Sequence, residues 1–195
     1  MRKTKTKITL EGAHEALKKC GLVGAYLDRA DLRGFNLAGV NLSAASLRGA
    51  DLSEANLQNA KLVKADLSQA CLYRANLEGA ELDGADLSMS YAKCTTFKDA
   101  SMLWCSLRGT IYKNCFFWNT DMRWADFRGA FMLGTIFDGA NLKHANNLHH
   151  ALFYWYRHPK GGGPSYDPMP GYEKLGHSAL PGYSLQENAG PRRAR

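Results

Sequence analysis

Large apolar residues recur at every fifth position through the middle of the chain. With the centre of each unit called position i, 25 units run from Leu22 to Leu142 without an insertion. The centre is Leu in sixteen units, Phe in four and Met in three, and Tyr112 and Ala92 fill the remaining two. Position i−2 is Ala in fifteen units and is otherwise Thr, Cys, Ser, Val or Phe. Most units therefore carry one large apolar residue and one small residue.

A five-residue period fits neither of the two regular elements. On an α-helix each step of five rotates the side chain by about 140°, so the Leu residues spiral around the cylinder and form no face. On a flat strand, the odd spacing sends successive Leu residues to opposite faces. The period instead predicts short extended pieces, in which i−2 and i both point inward, joined by bends of one sense. Such a chain is a coil with an interior of Leu and Ala.

The units ADLRG, ANLQN, ADLSQ, ANLEG and ADFRG follow the form A(D/N)LXX, and a run of this length resembles the pentapeptide-repeat proteins. The resemblance implies an all-β solenoid, the right-handed quadrilateral β-helix, with four units or 20 residues in each coil. It also implies that residues 20–145 form this β-helix. At about 4.8 Å between coils, 25 units give roughly six coils and a rod about 30 Å long.

The segments outside the repeat predict short helical caps and an extended tail. Residues 1–19 form a basic segment in which Leu10, Ala13 and Leu17 have helical spacing, typical of a capping helix. Residues 146–157 show the same spacing and predict a C-terminal cap helix, and in some relatives such a helix makes an end-to-end homodimer. Residues 158–195 hold all six prolines and are too rich in Pro and Gly for a packed domain. This tail is either disordered or docked on the rod or on a partner, with these candidate anchors: Tyr166, Tyr172, Tyr183, Arg192, Arg193 and Arg195.

The outward positions i−1, i+1 and i+2 become apolar in the second half of the repeat. Columns of this kind usually mark an interface. They are covered either by the chain's own C-terminal segment or by another protein. Residues 20 apart are expected to stack, as Trp104 on Trp124. The candidate interaction surface consists of Leu103, Trp104, Ile111, Phe116, Trp118, Trp124, Phe131, Leu133 and Ile136.

The polar residues of the repeat have structural explanations. An Asn or Asp at i−1 is expected to bond backbone groups at the bend. The inward residues Thr95, Thr110, Thr120 and Thr135 are expected to donate their hydroxyls to the backbone. Inward cysteines are interpreted as small apolar residues, and with no export signal the thiols are expected to be reduced in the cytoplasm.

The net charge of +7 says little about the repeat region, because it arises at the two ends of the chain. Residues 1–20 contribute +4 and residues 146–195 contribute +3, so residues 21–145 sum to zero. A basic protein favours nucleic acid as a partner, but here the excess belongs to the two ends. A strongly acidic face, which mimicry of DNA requires, is not expected on a neutral rod.

We find no motif for catalysis, a metal or a cofactor in the sequence. Four histidines near the C-terminal end lack the spacing of a zinc site, and no Gly-rich phosphate loop is present. The sequence therefore favours a non-catalytic protein-interaction scaffold without a membrane span, of bacterial or phage origin, that binds an unidentified protein or a second copy. The resemblance implies one alternative, a DNA mimic that modulates a type II topoisomerase such as gyrase. The basic termini suggest another, nucleic-acid binding.

Overall fold

The computed structural model describes residues 21–148, 151–157 and 165–168, and describes 152–157 and 165–168 as backbone. These residues form the predicted right-handed quadrilateral β-helix. Single parallel bridges join residues 20 apart, as in Tyr26 with Ser46 and Asn36 with Asn56. Twenty residues thus make one coil of four units, and backbone hydrogen bonds run from each coil to the next. The N-terminal capping helix predicted within residues 1–20 lies outside the described residues.

The four faces of the rod are numbered here by their outward columns. The first face carries Asn41, Lys61 and Glu81, and the second carries Ser46, Asp66 and Asp86. The third carries Asp31, Asp51, Cys71, Tyr91, Ile111 and Phe131. The fourth carries Asn36, Asn56, Asn76, Thr96, Phe116 and Ile136. Each face ends at the corner of the same number, formed by positions i+1 and i+2.

A tight turn at each corner explains the five-residue period. The amide of the residue after the corner donates to the carbonyl of position i, as from Ala25 to Leu22 at 3.0 Å. Position i+2 adopts a positive φ in all 25 units, fifteen of them without Gly. This combination is a type II turn. The turn redirects the chain so that i−2 and i of the next unit again point inward.

The Asn and Asp residues at i−1 bond the backbone of the bend, as predicted. Their Oδ1 atoms accept from the amide two residues on, as Asp66 does from Ser68 at 2.9 Å and Asn76 from Glu78 at 3.0 Å. Such local bonds favour the turn over other backbone conformations. The Asn or Asp at position i−1 thus helps to determine the fold by stabilising the turn.

The core is a dry column of Leu and Ala in the early coils that becomes aromatic in the later ones. Phe97, Phe117 and Phe137 stack with ring centroids 4.7 and 4.9 Å apart. Tyr112 is fully buried, and its hydroxyl lies 2.9 Å from that of Ser90. The small Ala92 occupies the large position in the repeat unit of Ser90, one coil before Tyr112, and this leaves Tyr112 room to reach back.

Inward hydroxyls bond backbone carbonyls, either in the preceding coil or in the preceding repeat unit. Thr95 donates to the carbonyl of Leu72, and Thr120 donates to that of Phe97 at 2.8 Å. Thr110 donates to Leu107 at 2.9 Å. Among the described residues, no buried side-chain nitrogen or oxygen lacks a partner. The prediction for these threonines is confirmed at the three positions named here.

Longer strands occur on the third face. Strands β1 (Tyr91–Lys93), β2 (Ile111–Lys113) and β3 (Phe131–Leu133) pair in parallel at the 20-residue register. The first residue of each strand points outward and is β-branched or aromatic (Tyr91, Ile111 and Phe131), which favours extended backbone. The sheet continues with β4 (Leu152–Arg157), parallel to β3, and β5 (Ser165–Pro168), antiparallel to β4.

The predicted cap helix at residues 146–157 is wrong, because residues 152–157 form β4. Phe131 pairs with Leu152, an offset of 21 rather than 20. The extra residue is Asn147, which holds a φ of 57° and donates to the Asp126 carboxylate at 2.7 Å. After this insertion the coil resumes, with Leu148 and Ala151 buried and a turn bond of 3.1 Å between them. The solenoid therefore extends past residue 145.

Candidate interaction surface

All nine residues of the predicted surface point away from the core. Trp104 exposes 59% of its surface, Ile111 46% and Trp118 37%, and the other six are partly exposed. The cause is the repeat itself, since positions i−1, i+1 and i+2 lie outside the coil wherever i−2 and i lie inside. Whether these residues bind a partner stays a prediction.

An aromatic ladder occupies the first corner. Trp104 stacks on Trp124 with ring centroids 4.9 Å apart and planes 10° apart, as predicted from their spacing of 20. His144 continues the stack at 5.6 Å from Trp124, and the Arg123 guanidinium lies 5.4 Å from the Trp124 ring. Both Trp residues are at i+2 with positive φ. A bulky residue in this conformation is uncommon, so the sequence places aromatic rings here against a backbone preference.

Two apolar columns lie on the third and fourth faces. On the third face Ile111 pairs with Phe131 between β2 and β3, and on the fourth Phe116 bridges to Ile136. The rings of Phe116 and Trp118 are 4.9 Å apart. The two columns are neighbours around the third corner, where Leu133 lies in β3.

The structure thus divides the nine residues into two surfaces. The ladder surface consists of Leu103, Trp104 and Trp124 at the first corner. The sheet surface consists of Ile111, Phe116, Trp118, Phe131, Leu133 and Ile136. In a four-sided coil the first corner is diagonally opposite the third, so one flat partner cannot cover the ladder surface together with the columns of the third and fourth faces. The division could have been predicted from the sequence, because residues that are 20 apart lie on the same face or corner of a four-sided coil.

Of the predicted tail anchors, Tyr166 lies in β5, paired with Tyr156 of β4. Tyr172, Tyr183, Arg192, Arg193 and Arg195 lie outside the described residues. The sequence did not suggest that part of the tail would form a strand. Pro168 at the end of β5 fits its place on the outermost strand, because an edge strand tolerates a missing amide.

Ion pairs on the outside of the rod neutralise several acidic residues. Arg33 donates two hydrogen bonds to Asp31, at 2.7 and 2.8 Å, and lies 3.7 Å from Asp51. The bonds from Arg33 lower the pKa of Asp31 to about 2. Arg123 pairs in the same way with Asp121 and lowers the pKa of that carboxyl. The Arg33 pair is exposed and the Arg123 pair is partly exposed, so both contribute little to stability, but they remove charge from the acidic columns.

The net charge of the rod is zero, but the charges are distributed unevenly along its axis. Residues 21–90 hold nine acidic and six basic residues, whereas residues 91–145 hold four acidic and seven basic ones. The early coils are therefore acidic, and the late coils, which carry both apolar surfaces, are basic. The sum over the whole rod missed this, although the order of charges along the sequence shows it.

The described residues hold no group of His, Cys, Asp or Glu suited to a metal ion. Cys105 and Cys115 are buried, and burial raises the pKa of both thiols, that of Cys115 to about 12. They are therefore protonated at neutral pH and are poor nucleophiles. Of the four C-terminal histidines, His144 stacks on Trp124, while His149, His150 and His158 lie outside the described residues.

Within the part of the chain that the structure describes, no helix is both long and apolar enough to cross a bilayer.

A regular solenoid built from stacked short repeats defines the class of protein, a repeat protein of the β-solenoid type. The chain belongs to the pentapeptide repeat family, whose model matches residues 20–59, 50–88 and 119–154 as eight copies of "Pentapeptide repeats". Members of this family are generally non-catalytic structural or interaction proteins. A search of curated proteins found no match.

Several solved structures are similar to this chain. HetL, a pentapeptide repeat protein involved in heterocyst differentiation regulation in the cyanobacterium Nostoc sp. strain PCC 7120, is 27% identical, with a TM-score of 0.45 over 68% of this chain and 63% of HetL. A pentapeptide repeat protein of the Arabidopsis thaliana thylakoid lumen is 28% identical, with a TM-score of 0.47 over 49% of this chain and 67% of that one. QnrB1, a plasmid-mediated fluoroquinolone resistance protein, is 17% identical, with a TM-score of 0.42 over 66% of this chain and 74% of QnrB1. The chain thus spans less than two thirds of HetL, and the family model alone carries the assignment.

Proposed function

We propose that this protein is a non-catalytic protein-interaction scaffold whose late coils and tail bind a partner protein or a second copy. The observation that carries the proposal is the exposure of large apolar side chains in the late coils, where Trp104, Ile111 and Trp118 are the main examples. In the early coils the same positions are mostly small or polar, so the fold does not require apolar residues there. Exposed apolar area in one region of a regular rod is typical of an interface.

The ladder surface is the better candidate for a partner's main contact. Stacked Trp rings are rigid, offer large area at low entropic cost, and are enriched at the centres of interfaces. Arg123 and Lys143 occupy position i+1 beside the rings and give the surface a basic rim. A partner with an apolar contact and acidic neighbours would complement it.

Affinity purification with full-length variants tests this function. Trp104→Ser/Trp124→Ser removes the ladder, and Ile111→Ser/Ile136→Ser removes the centre of the sheet surface. The matched control is Val23→Ser/Tyr26→Ser, which removes two exposed apolar residues of the first coil. We expect the control to keep a partner or self-association that at least one late-coil variant loses. An identical set of associated proteins for all four chains would refute the proposal.

The DNA-mimic alternative receives less support from the charges. Mimicry needs a continuous acidic face, but Asp31, Asp51 and Asp121 have arginines beside them. On the second face Asp126 lies 3.9 Å from Arg108. A gyrase supercoiling assay with added protein tests this alternative, and we expect no change at micromolar concentrations.

One observation favours nucleic-acid binding as a second candidate. Trp104, Trp124 and His144 form a stack beside Arg123 and Lys143, and proteins that bind single strands combine aromatic rings with basic residues. Binding of a fluorescent single-stranded oligonucleotide across a salt series tests it. Affinity that falls with salt and is lost in Trp104→Ser/Trp124→Ser would support this function over protein binding.

A further inference from the structure

The two apolar surfaces differ in their relation to the C-terminal chain. We propose that residues 169–185 of the tail pack in cis across the sheet surface and leave the ladder surface for the partner. This inference rests on the proposed function and narrows it: the ladder surface binds the partner, and residues 169–185 stay on the chain's own rod.

The first argument is where the chain leaves the sheet. β4 pairs with β3, and β5 turns back and pairs with β4, so that Pro168 lies opposite Tyr154. Tyr154 is in register with Leu133 of the sheet surface. The described chain therefore ends near the third corner, two strands beyond Leu133 along the axis. This corner separates the two apolar columns, so the tail leaves the described structure close to the sheet surface.

The second argument is the length and the order of residues in the tail. Twenty-seven residues follow Pro168 and reach up to about 90 Å when extended. The two residues of each apolar column are one coil apart along the axis, and the two columns lie on adjacent faces. A peptide far shorter than the tail spans this distance. The apolar residues of this stretch come first, before the charged end: Met169, Tyr172, Leu175, Leu180, Tyr183 and Leu185.

The third argument is the composition of the segment. Pro170 and Pro181 each begin a Pro-Gly-Tyr sequence. Proline fixes φ and lacks an amide donor, so an extended proline-rich peptide loses less entropy on docking and leaves fewer amides to satisfy. Aromatic and apolar residues beside proline suit an apolar surface formed by Ile111, Phe116 and Trp118. Tyrosine can bury its ring and keep its hydroxyl in water.

The charge of the rod accounts for the last residues. Arg192, Arg193 and Arg195 give the end of the chain a positive charge, and the late coils beneath the sheet surface are also positive. Repulsion would direct the end of the tail away from these coils and towards the acidic early coils. The cis contact is therefore assigned to residues 169–185 and excludes the terminal arginines.

The test compares full-length chains that differ in the tail. In the polar-tail variant the six apolar residues from Met169 to Leu185 are changed to Ser, and in the control Arg192, Arg193 and Arg195 are changed to Gln. The probe is the fluorescence of 8-anilinonaphthalene-1-sulfonate, which binds exposed apolar surface. Far-ultraviolet circular dichroism checks that each rod is folded.

We expect a severalfold increase in dye fluorescence for the polar-tail variant and none for the arginine control. Adding a synthetic peptide of residues 169–185 to the polar-tail variant should reverse the increase. Ile111→Ser/Ile136→Ser in the same variant should abolish it, whereas Trp104→Ser/Trp124→Ser should not.

Equal fluorescence of the wild-type and polar-tail chains, or a peptide without effect, would overturn the proposal. A wild-type chain that sediments as a dimer, and a polar-tail variant that sediments as a monomer, would show that the tail docks on a second copy. Loss of the partner in Trp104→Ser/Trp124→Ser is a separate result, so the proposed function can stand when this inference fails.

Discussion

Asn59 and Gly79 occupy the same corner position in successive coils. The contact between them shows how the residue in one coil restricts the residue that the next coil tolerates. A Cβ on Gly79 would lie 2.3 Å from Oδ1 of Asn59, while one on Gly39 would meet nothing within 4 Å. Both glycines have a φ between 66° and 68°. The two positions therefore share the backbone strain of an L residue and differ only in the clash.

We predict that Gly39→Ala costs about 1 kcal/mol, the strain of a left-handed alanine, and that Gly79→Ala costs clearly more. Equilibrium unfolding in urea measures both. Asn59→Ala in the Gly79→Ala background should recover the difference, because it removes the atom that clashes. Equal costs for the two glycines would show that Asn59 moves away freely.

Tyr112 and Ser90 form a pair of side-chain hydroxyls inside the core, with their oxygens 2.9 Å apart. Either single change, Tyr112→Phe or Ser90→Ala, leaves a buried hydroxyl without this partner, at a cost of about 1–3 kcal/mol. We predict that the double variant loses less than the sum of the single losses. A double-mutant cycle in urea checks this, and strictly additive losses would contradict a direct bond.

The buried thiols and Tyr112 predict a loss of stability in alkali. Burial raises the pKa of Cys105, Cys115 and Tyr112. The folded pKa of Cys115 is about 12 against an ordinary value of 9.0, so the unfolded chain ionises first. The stabilisation is complete below pH 9 and is lost as the pH rises towards 12, by about 1.4 kcal/mol per thiol at pH 10.

Urea unfolding at pH 7, 9 and 10 measures this alkaline loss. The triple variant Cys105→Ala/Cys115→Ala/Tyr112→Phe should be less stable at pH 7 but should show a flatter dependence on pH. A wild-type chain with the same stability at pH 7 and pH 10 would contradict the burial of these groups.

At the scale of the element, the repeat could be predicted in detail and the C-terminal cap could not. Each unit encodes its own turn, so the period alone indicates which residues point inward, including exceptions such as Ala92. Near the end, Leu148, Ala151 and Leu152 have helical spacing. The same residues also fit the inward and outward positions of a coil once Asn147 is inserted. A single extra residue shifts the five-residue register by one, and no local sequence pattern predicts this insertion.

Strand β4 covers the edge of β3, so we predict that breaking β4 exposes that edge. Phe153→Pro removes an amide and fixes φ in a strand that has neighbours on both sides. Hydrogen exchange should then quicken in Phe131–Leu133, and light scattering should report association through the open edge. Phe153→Leu keeps the amide and is the control. Unchanged exchange in β3 would contradict the pairing of β3 with β4.

At the scale of the whole molecule, the residues that determine the fold of the rod differ from those that determine the properties of its surface. The core positions i−2 and i, together with the bonds at each corner, occur in every coil and do not distinguish one end of the rod from the other. The outward residues do distinguish them, because the early coils are acidic and the late coils are basic and apolar. The sequence could predict which residues point outward. The division into two surfaces depends on the four-sided coil and on the path of β4 and β5.

The central claim is that the outward residues of the late coils serve association and are dispensable for the fold. Urea unfolding of Trp104→Ser/Trp124→Ser, followed by circular dichroism, tests it most directly. The account predicts a cooperative transition with native β signal and a loss of a few kcal/mol at most, because the aromatic pair contributes about 0.5–1.5 kcal/mol and the partly buried rings add the loss of their buried area. Loss of the β signal in the absence of urea would show that the ladder is part of the folding core and would contradict the account.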